Sequence, residues 1–339
     1  MRALRMTSGE LRMTSGELRM TNSNGNNTQR MINMKIMYCL LIAALLLSAG
    51  CTKRAESPTT KTIGVSLLTR QHVFYKDLEE GLQTGAAKAG YQLVLTSGDM
   101  DLGKQSAQIE DFLTQKVDAI IVCPVDSRGI GPAIKRANDA KIPVFTADIA
   151  AQEGETVCHV ASDNVAGGRL AGEYLAKILD GKGNVAIIGQ PTITSVLDRV
   201  QGFKDAIAKF PDMKVVADVN GEGVRDKAMQ ATSDILQAHP DLKGIFGIND
   251  DSALGALDAV QQYDRKNVNI VGYDATPPAA DAITKGTALK ADVVQYPKKI
   301  GETTIEKIKE YFSGASLPKV VPVEVGIVDK DALQKAPAR

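Results

Sequence analysis

The stretch IGVSLLTRQHVFYKDLEEGLQTGAAKAGYQLVLT (63–96) reads as strand, helix, strand. IGVSLL (63–68) and YQLVLT (91–96) are short apolar runs of strand length. Between them Leu78, Leu82, Ala86 and Ala89 recur at the spacing that lines one face of a helix, and Gly90 stops it. Working outward, the unit repeats. AIIVCP (119–124), PVFTAD (143–148) and VCHVAS (157–162) alternate with helical segments, one of them near 104–115. A long helix from Asn164 to about Asp180 opens a second set: NVAIIG (184–189), KVVADV (214–219), GIFGIN (244–249), NIVGYD (269–274) and ALKADVVQ (288–295). Continuously apolar strands followed by helices belong to a parallel sheet covered on both faces. The reading is α/β: two similar doubly wound parallel-sheet lobes of about five strands, each set a normal domain size of ~100–130 residues. Ligands of open α/β sheets bind beyond the carboxyl ends of the strands, so two facing lobes predict a cleft that closes by hinge motion.

The chain has 339 residues, 40 basic and 40 acidic, with 44% apolar and 4% aromatic residues and no Trp. Ordinary apolar content excludes a wholly disordered chain, and balanced charge argues against a nucleic-acid partner. The balance is an average over unlike parts. Residues 1–50 read as a leader: RMTSGEL stands twice in 5–18, then Met34-Lys35 precedes an apolar run (36–50) too short to span a bilayer comfortably. Met34 is a candidate start. Ser48-Ala49-Gly50-Cys51 resembles a bacterial lipoprotein cleavage box, which predicts lipidation of Cys51 and a membrane anchor. An ordinary signal peptide with an incidental Cys is the alternative. Residues 51–60, polar and holding a Pro, read as a tether. The leader holds six basic and two acidic residues, so the remainder carries 34 and 38, a net charge of −4.

Cys123 and Cys158 stand in apolar strand-like runs and read as buried free thiols, with a disulfide as the alternative. No phosphate-binding loop, nucleophile elbow or zinc motif is present, and neither an enzyme activity nor a cofactor or metal is expected. Asp99 to Glu110 has the outline of a calcium loop but carries Lys104 where Gly is required, so it reads as a helix-capping loop. Gly167-Gly168 lies inside a predicted helix and reads as a close helix contact.

The informative residues stand at strand ends. His72, Phe74 and Tyr75 follow the first strand, and Asp148 ends the fourth. Arg199 follows NVAIIGQ, and Asn249, Tyr273, Asp274 and Gln295 end later strands. Rings stack on the apolar face of a sugar. Carboxylates, amides and a planar guanidinium suit hydroxyls, which both donate and accept.

The chain resembles the ribose-type periplasmic binding proteins of bacterial ABC transporters across most of 61–328. The resemblance rests on HVASDNVAGGRLAGEYLA (159–176), RVQGF (199–203), AHPDLKGIFGINDDSALGALDAV (238–260), IVGYDATP (270–277) and VVQYPKKIG (293–301). It implies two lobes joined by three crossings near Ser162, Gln295 and Val323. The first lobe would be 61–162 plus 296–323, and the second 163–295 plus 324–339. It also implies that Phe74 and Tyr75 sandwich a sugar and that Asp148, Arg199, Asn249, Asp274 and Gln295 bind hydroxyls. Tyr273 would be a second-lobe aromatic, and His72 a first-loop contact.

Four positions depart from ribose binders. Ile149 stands where they carry Arg, His72 and Cys123 stand for Asn residues, and Asn220-Gly221-Glu222-Gly223 replaces a second-lobe aromatic. Loss of a bidentate cation puts ribose itself in doubt. The expected ligand is a monosaccharide or polyol; an amino sugar follows if Glu222 enters the cleft. The expected protein is a monomeric lipoprotein that delivers its ligand to an ABC permease. Alternatives are a sensor feeding a chemoreceptor or kinase, and a sugar-responsive repressor, which lacks its helix-turn-helix here.

Overall fold

The computed structural model describes residues 60–335 together with Met31, Met34 and Met37. The leader reading, the Cys51 box and the tether up to Thr59 lie outside the described residues. Among the described residues no helix is long and apolar enough to cross a membrane.

The quoted stretch folds as β1 (Thr62–Leu67), α1 (Val73–Ala89) and β2 (Gln92–Ser97). In β1 every residue after Thr62 is buried, as a central parallel strand requires. The His72 side chain caps α1 by accepting the Phe74 N–H, and Gly90 at φ 73° closes the helix with bonds back to Ala86 and Ala87. The first half continues with α2 (Leu102–Gln115), β3 (Ala119–Val122), α3 (Gly131–Asp139), β4 (Val144–Ala147) and β5 (His159–Ser162). Asp101 caps α2 and Lys104 pairs with Asp99, so this loop is the solvated helix start the sequence implied.

The second half holds α4 (Asn164–Ile178), β6 (Lys182–Gly189), α5 (Thr194–Ile207), β7 (Asp212–Asn220) and α6 (Arg225–Ala238). It goes on with β8 (Leu242–Gly247), α7 (Asp250–Gln262), β9 (Asn269–Asp274), α8 (Pro277–Thr284) and β10 (Leu289–Val294). The chain ends with α9 (Pro297–Phe312), β11 (Val320–Val323), β12 (Gly326–Asp329) and α10 (Lys330–Lys335). Proline opens α8 and α9, where a missing N–H costs nothing.

Two six-stranded sheets result. Their orders are β11-β5-β4-β3-β1-β2 and β12-β10-β9-β8-β6-β7. Apart from the added edge strands β11 and β12 the two orders are the same doubly wound pattern. The first sheet is parallel throughout; β12 runs antiparallel to β10. The sequence reading of five strands per lobe is corrected to six. Both missed strands are edges: β11 is largely exposed and contains Pro322, and β12 is only half-buried. In β11 the proline breaks the strand signal of VVPV, and β12 (GIVD) holds only two large apolar residues. The chain passes between the sheets after Ser162, after Val294, and between Val323 and Gly326.

Each sheet is covered on both faces. Ile109, Phe112 and Ile134 pack one face of the first sheet, and Leu236, Leu257 and Ile283 one face of the second. A larger core, holding Leu78, Phe145, Phe203 and Phe246, fills the remaining faces. Cys123 and Cys158 are free and buried within it. Gly167-Gly168 is a close helix contact: a Cβ on Gly168 would stand 1.9 Å from the Arg199 carbonyl oxygen.

Candidate functional site

The carboxyl ends of the strands from both sheets converge on a cavity of about 330 Å³, within the usual range for small-ligand sites. Eight of the nine strand-end residues singled out in the sequence line it: His72, Phe74, Tyr75, Asp148, Arg199, Asn249, Asp274 and Gln295.

Asp148 is presented by the loop after β4 at φ 65°, a left-handed conformation that favours few side chains. Its Oδ2 accepts the Tyr75 hydroxyl at 2.6 Å. Burial pushes the Asp148 carboxyl up to about 6, with Arg199 pulling the other way. Asp274 sits at φ 116° and Ala275 at φ 56°, so the backbone is strained at both carboxylate positions. Gln295 donates to Asp274 Oδ1 at 2.6 Å, and the Gln295 Oε1 is buried without a partner. A buried acceptor left unmet is costly.

Arg199 is 5% exposed. Its Nε donates to Asn164 Oδ1 at 2.8 Å and its Nη1 to the Ile248 carbonyl at 2.7 Å. These bonds leave the Nη2 protons and one on Nη1 for the cleft. Asn164 is a residue the sequence reading missed. It stands at the start of α4, and its Nδ2 donates to the Ser162 carbonyl. Its signal was its place beside Asp163 in the 159–176 string.

His72 reaches across the cleft. Its Nδ1 is occupied by the Phe74 N–H, and its Nε2 lies 3.6 Å from Asp274 and 3.7 Å from Asp251. Asp251 was also missed, because an acid in the first turn of a helix reads as ordinary dipole compensation. Asn249 does double duty as the cap of α7: Oδ1 accepts from Ser252 and Nδ2 donates to the Gly223 carbonyl. It therefore also ties down the loop after β7.

Three readings are corrected. Tyr273 does not reach the cavity. It is fully buried, the Arg199 guanidinium lies 3.8 Å from its ring centre, and its hydroxyl contacts Asn164. Consecutive strand residues point to opposite sides, and here Asp274 has the cleft. Phe74 and Tyr75 meet edge to face at 75°, so they present a corner and not two parallel plates. The opposite wall is aliphatic, built from Ile193, Val196, Val224 and Ile248. Glu222 is exposed and lines an adjoining cavity at the mouth, not the ligand cavity itself.

Beneath Asp274 lies a second acidic layer. Asp250 and Asp292 are buried, and burial raises both carboxyls. The Asp250 charge adds to the rise at Asp292, whereas Asp292 lowers Asp250 and it is the Asp274 charge that raises it. Asp250 accepts the Thr276 N–H at 2.7 Å. Gly272 leaves room for Asp292, whose Oδ2 would stand 2.8 Å from a Cβ there.

A ligand cavity closed from both sides by the strand ends of two α/β lobes defines a solute-binding protein. Residues 63–316 match the model of the periplasmic binding protein domain. The ribose import binding protein of Salmonella typhimurium is 34% identical over 300 residues, covering 88% of this chain and all of that one. The xylitol-binding protein of Mycolicibacterium smegmatis is 32% identical over 243 residues, 71% of this chain and 69% of that one. A crystal structure of an ABC transporter solute-binding protein from Mycobacterium smegmatis with bound glycerol superposes with a TM-score of 0.76. It is 31% identical, covering 81% of this chain and 96% of that one. The chain belongs to the periplasmic binding protein family, among its ribose-type members, which bind and do not turn over their ligands. The family places it outside the cytoplasm.

Proposed function

We propose that this protein captures a neutral monosaccharide or polyol between its lobes and delivers it to an ABC permease, the three chain crossings acting as the hinge. One observation carries the reading: the cavity brings together the guanidinium of Arg199, the side-chain amides of Gln295 and Asn249 and the carboxylates of Asp148 and Asp274. Such a mixture satisfies groups that both donate and accept, as hydroxyls do. The aliphatic wall and Phe74 suit the C–H faces of the same molecule. Contacts from both lobes, made only when they are together, supply the differential affinity that drives closure. Relatives named for import favour delivery to a permease over a sensor. The anchor through Cys51 and the monomeric state complete the proposal.

The test is a thermal-shift panel of pentoses, hexoses, amino sugars and polyols. A binder stabilises by RT ln(1 + [L]/Kd), so micromolar affinity is visible at millimolar ligand. At least one neutral polyhydroxyl compound should stabilise the protein, with ribose weak because Ile149 offers no guanidinium. Silence across the panel would overturn the sugar reading, and sub-micromolar ribose binding would overturn the argument from Ile149.

A further inference from the structure

Beside the ligand cavity the two lobes touch through a compact set of hydrogen bonds that involve no charged group. Ser127 follows β3 and Ala150 follows β4, both on the first sheet; Thr192 and Thr194 follow β6 on the second. The Ser127 N–H donates to the Thr192 carbonyl at 3.1 Å. The Thr194 N–H donates to Ser127 Oγ at 3.0 Å, and that hydroxyl donates to Thr194 Oγ1 at 3.3 Å. The Thr194 hydroxyl also accepts the Ala150 N–H at 3.1 Å and donates to the Ala150 carbonyl at 3.0 Å.

The stoichiometry is complete. A threonine hydroxyl offers one donor and two acceptor positions, and here all three are used on the opposite lobe. Ser127 is 1% exposed, so its bonds are sheltered from solvent. The loop that carries it is stiffened by the Gln152 N–H donating to the Ser127 carbonyl at 2.7 Å. Neither Ser127 nor Thr194 lines the ligand cavity, and neither belongs to a chain crossing.

We infer that Ser127 and Thr194 form a clasp that holds the lobes together without ligand and so sets how much of the free protein is closed. It bears on affinity only through the binding function proposed above, because a ligand selecting the closed state binds in proportion to that state's population. Ser127 and Thr194 are positioning residues that act at a distance from the ligand. The clasp itself is read without any ligand.

The experiment uses ligand-free protein. Amide hydrogen exchange at Ser127, Ala150 and Thr194 is followed in the wild type and in Thr194→Val, Thr194→Ser and Ser127→Ala, with small-angle scattering for lobe separation. Thr194→Val keeps the side-chain shape and removes three of the five bonds. At the usual net worth of a hydrogen bond this should speed exchange at Ala150 about tenfold or more and enlarge the radius of gyration. Thr194→Ser, which restores the hydroxyl, should behave as wild type, and Ser127→Ala should fall between. Exchange and scattering unchanged in Thr194→Val would overturn the clasp. So would equal effects of Val and Ser, since the hydroxyl would then be irrelevant. Because no ligand is added, these results stand apart from the sugar panel, whose failure would touch only the binding function.

Discussion

Replacing Asp148 by Asn separates what its carboxylate contributes to binding from what it costs the fold. Asp148 is 4% exposed, and burial is the main reason its carboxyl is pushed from 3.8 to about 6. The folded protein therefore holds this proton more tightly than the unfolded chain. Across the window from about pH 4 to about pH 6 the folded state binds more protons, so stability falls as pH rises through it and is level above. A gap of about two units corresponds to about 3 kcal/mol at 1.36 kcal/mol per unit. Asparagine avoids that cost while keeping an oxygen for the Tyr75 hydroxyl. It is also among the few residues that tolerate the φ of 65° here. Asp148→Asn should thus stabilise the ligand-free protein by about 2–3 kcal/mol at pH 7.5 and by little at pH 4, while binding to any panel ligand is lost. The assay is urea unfolding of both proteins at half-unit steps from pH 4 to 8. Other groups titrate in both, so the difference curve isolates Asp148. A mutant less stable at pH 7.5, or a difference that does not change with pH, would refute the reasoning.

Gly168→Ala should cost about 1–3 kcal/mol by forcing α4 away from α5, since its Cβ would stand 1.9 Å from the Arg199 carbonyl oxygen. An unchanged urea midpoint would contradict that contact. Cys51→Ser should move the protein from the membrane fraction to the soluble fraction; continued membrane attachment would reject lipidation at this residue.

The eight inner strands were legible because burial on both faces demands apolar residues, as in AIIV (119–122). The edges β2 and β7 were legible because they still carry apolar runs, LVL (93–95) and VVADV (215–219). β11 and β12 were not, because an edge strand needs neither continuous apolarity nor a full set of N–H donors. Polar residues at strand ends could be read since the topology sends those ends to one place. Side-chain direction could not: Tyr273 and Asp274 are adjacent in sequence, yet one supports Arg199 from beneath and the other faces the ligand space. Ile193 and Val196 are apolar residues at the start of a helix that nothing in the sequence singled out, and only the facing lobe turns them into a cavity wall. The role of Asn164 could not be read from its place beside Asp163 alone, because it depends on the 35-residue separation that α4 and α5 close.

The late return of the chain to both sheets bears on how the protein is made. β5 gains its outer neighbour only when Val320–Val323 are present, and β10 only when Gly326–Asp329 are. Until then each sheet carries an open edge able to pair with another chain. The parallel pairing of β11 with β5, across about 160 residues, is also slow to form. Synthesis thus leaves both lobes unfinished until nearly the whole polypeptide has emerged. A nonsense mutation falling after β10 and before residue 320 would therefore release a product whose β5 and β10 both lack their outer neighbours.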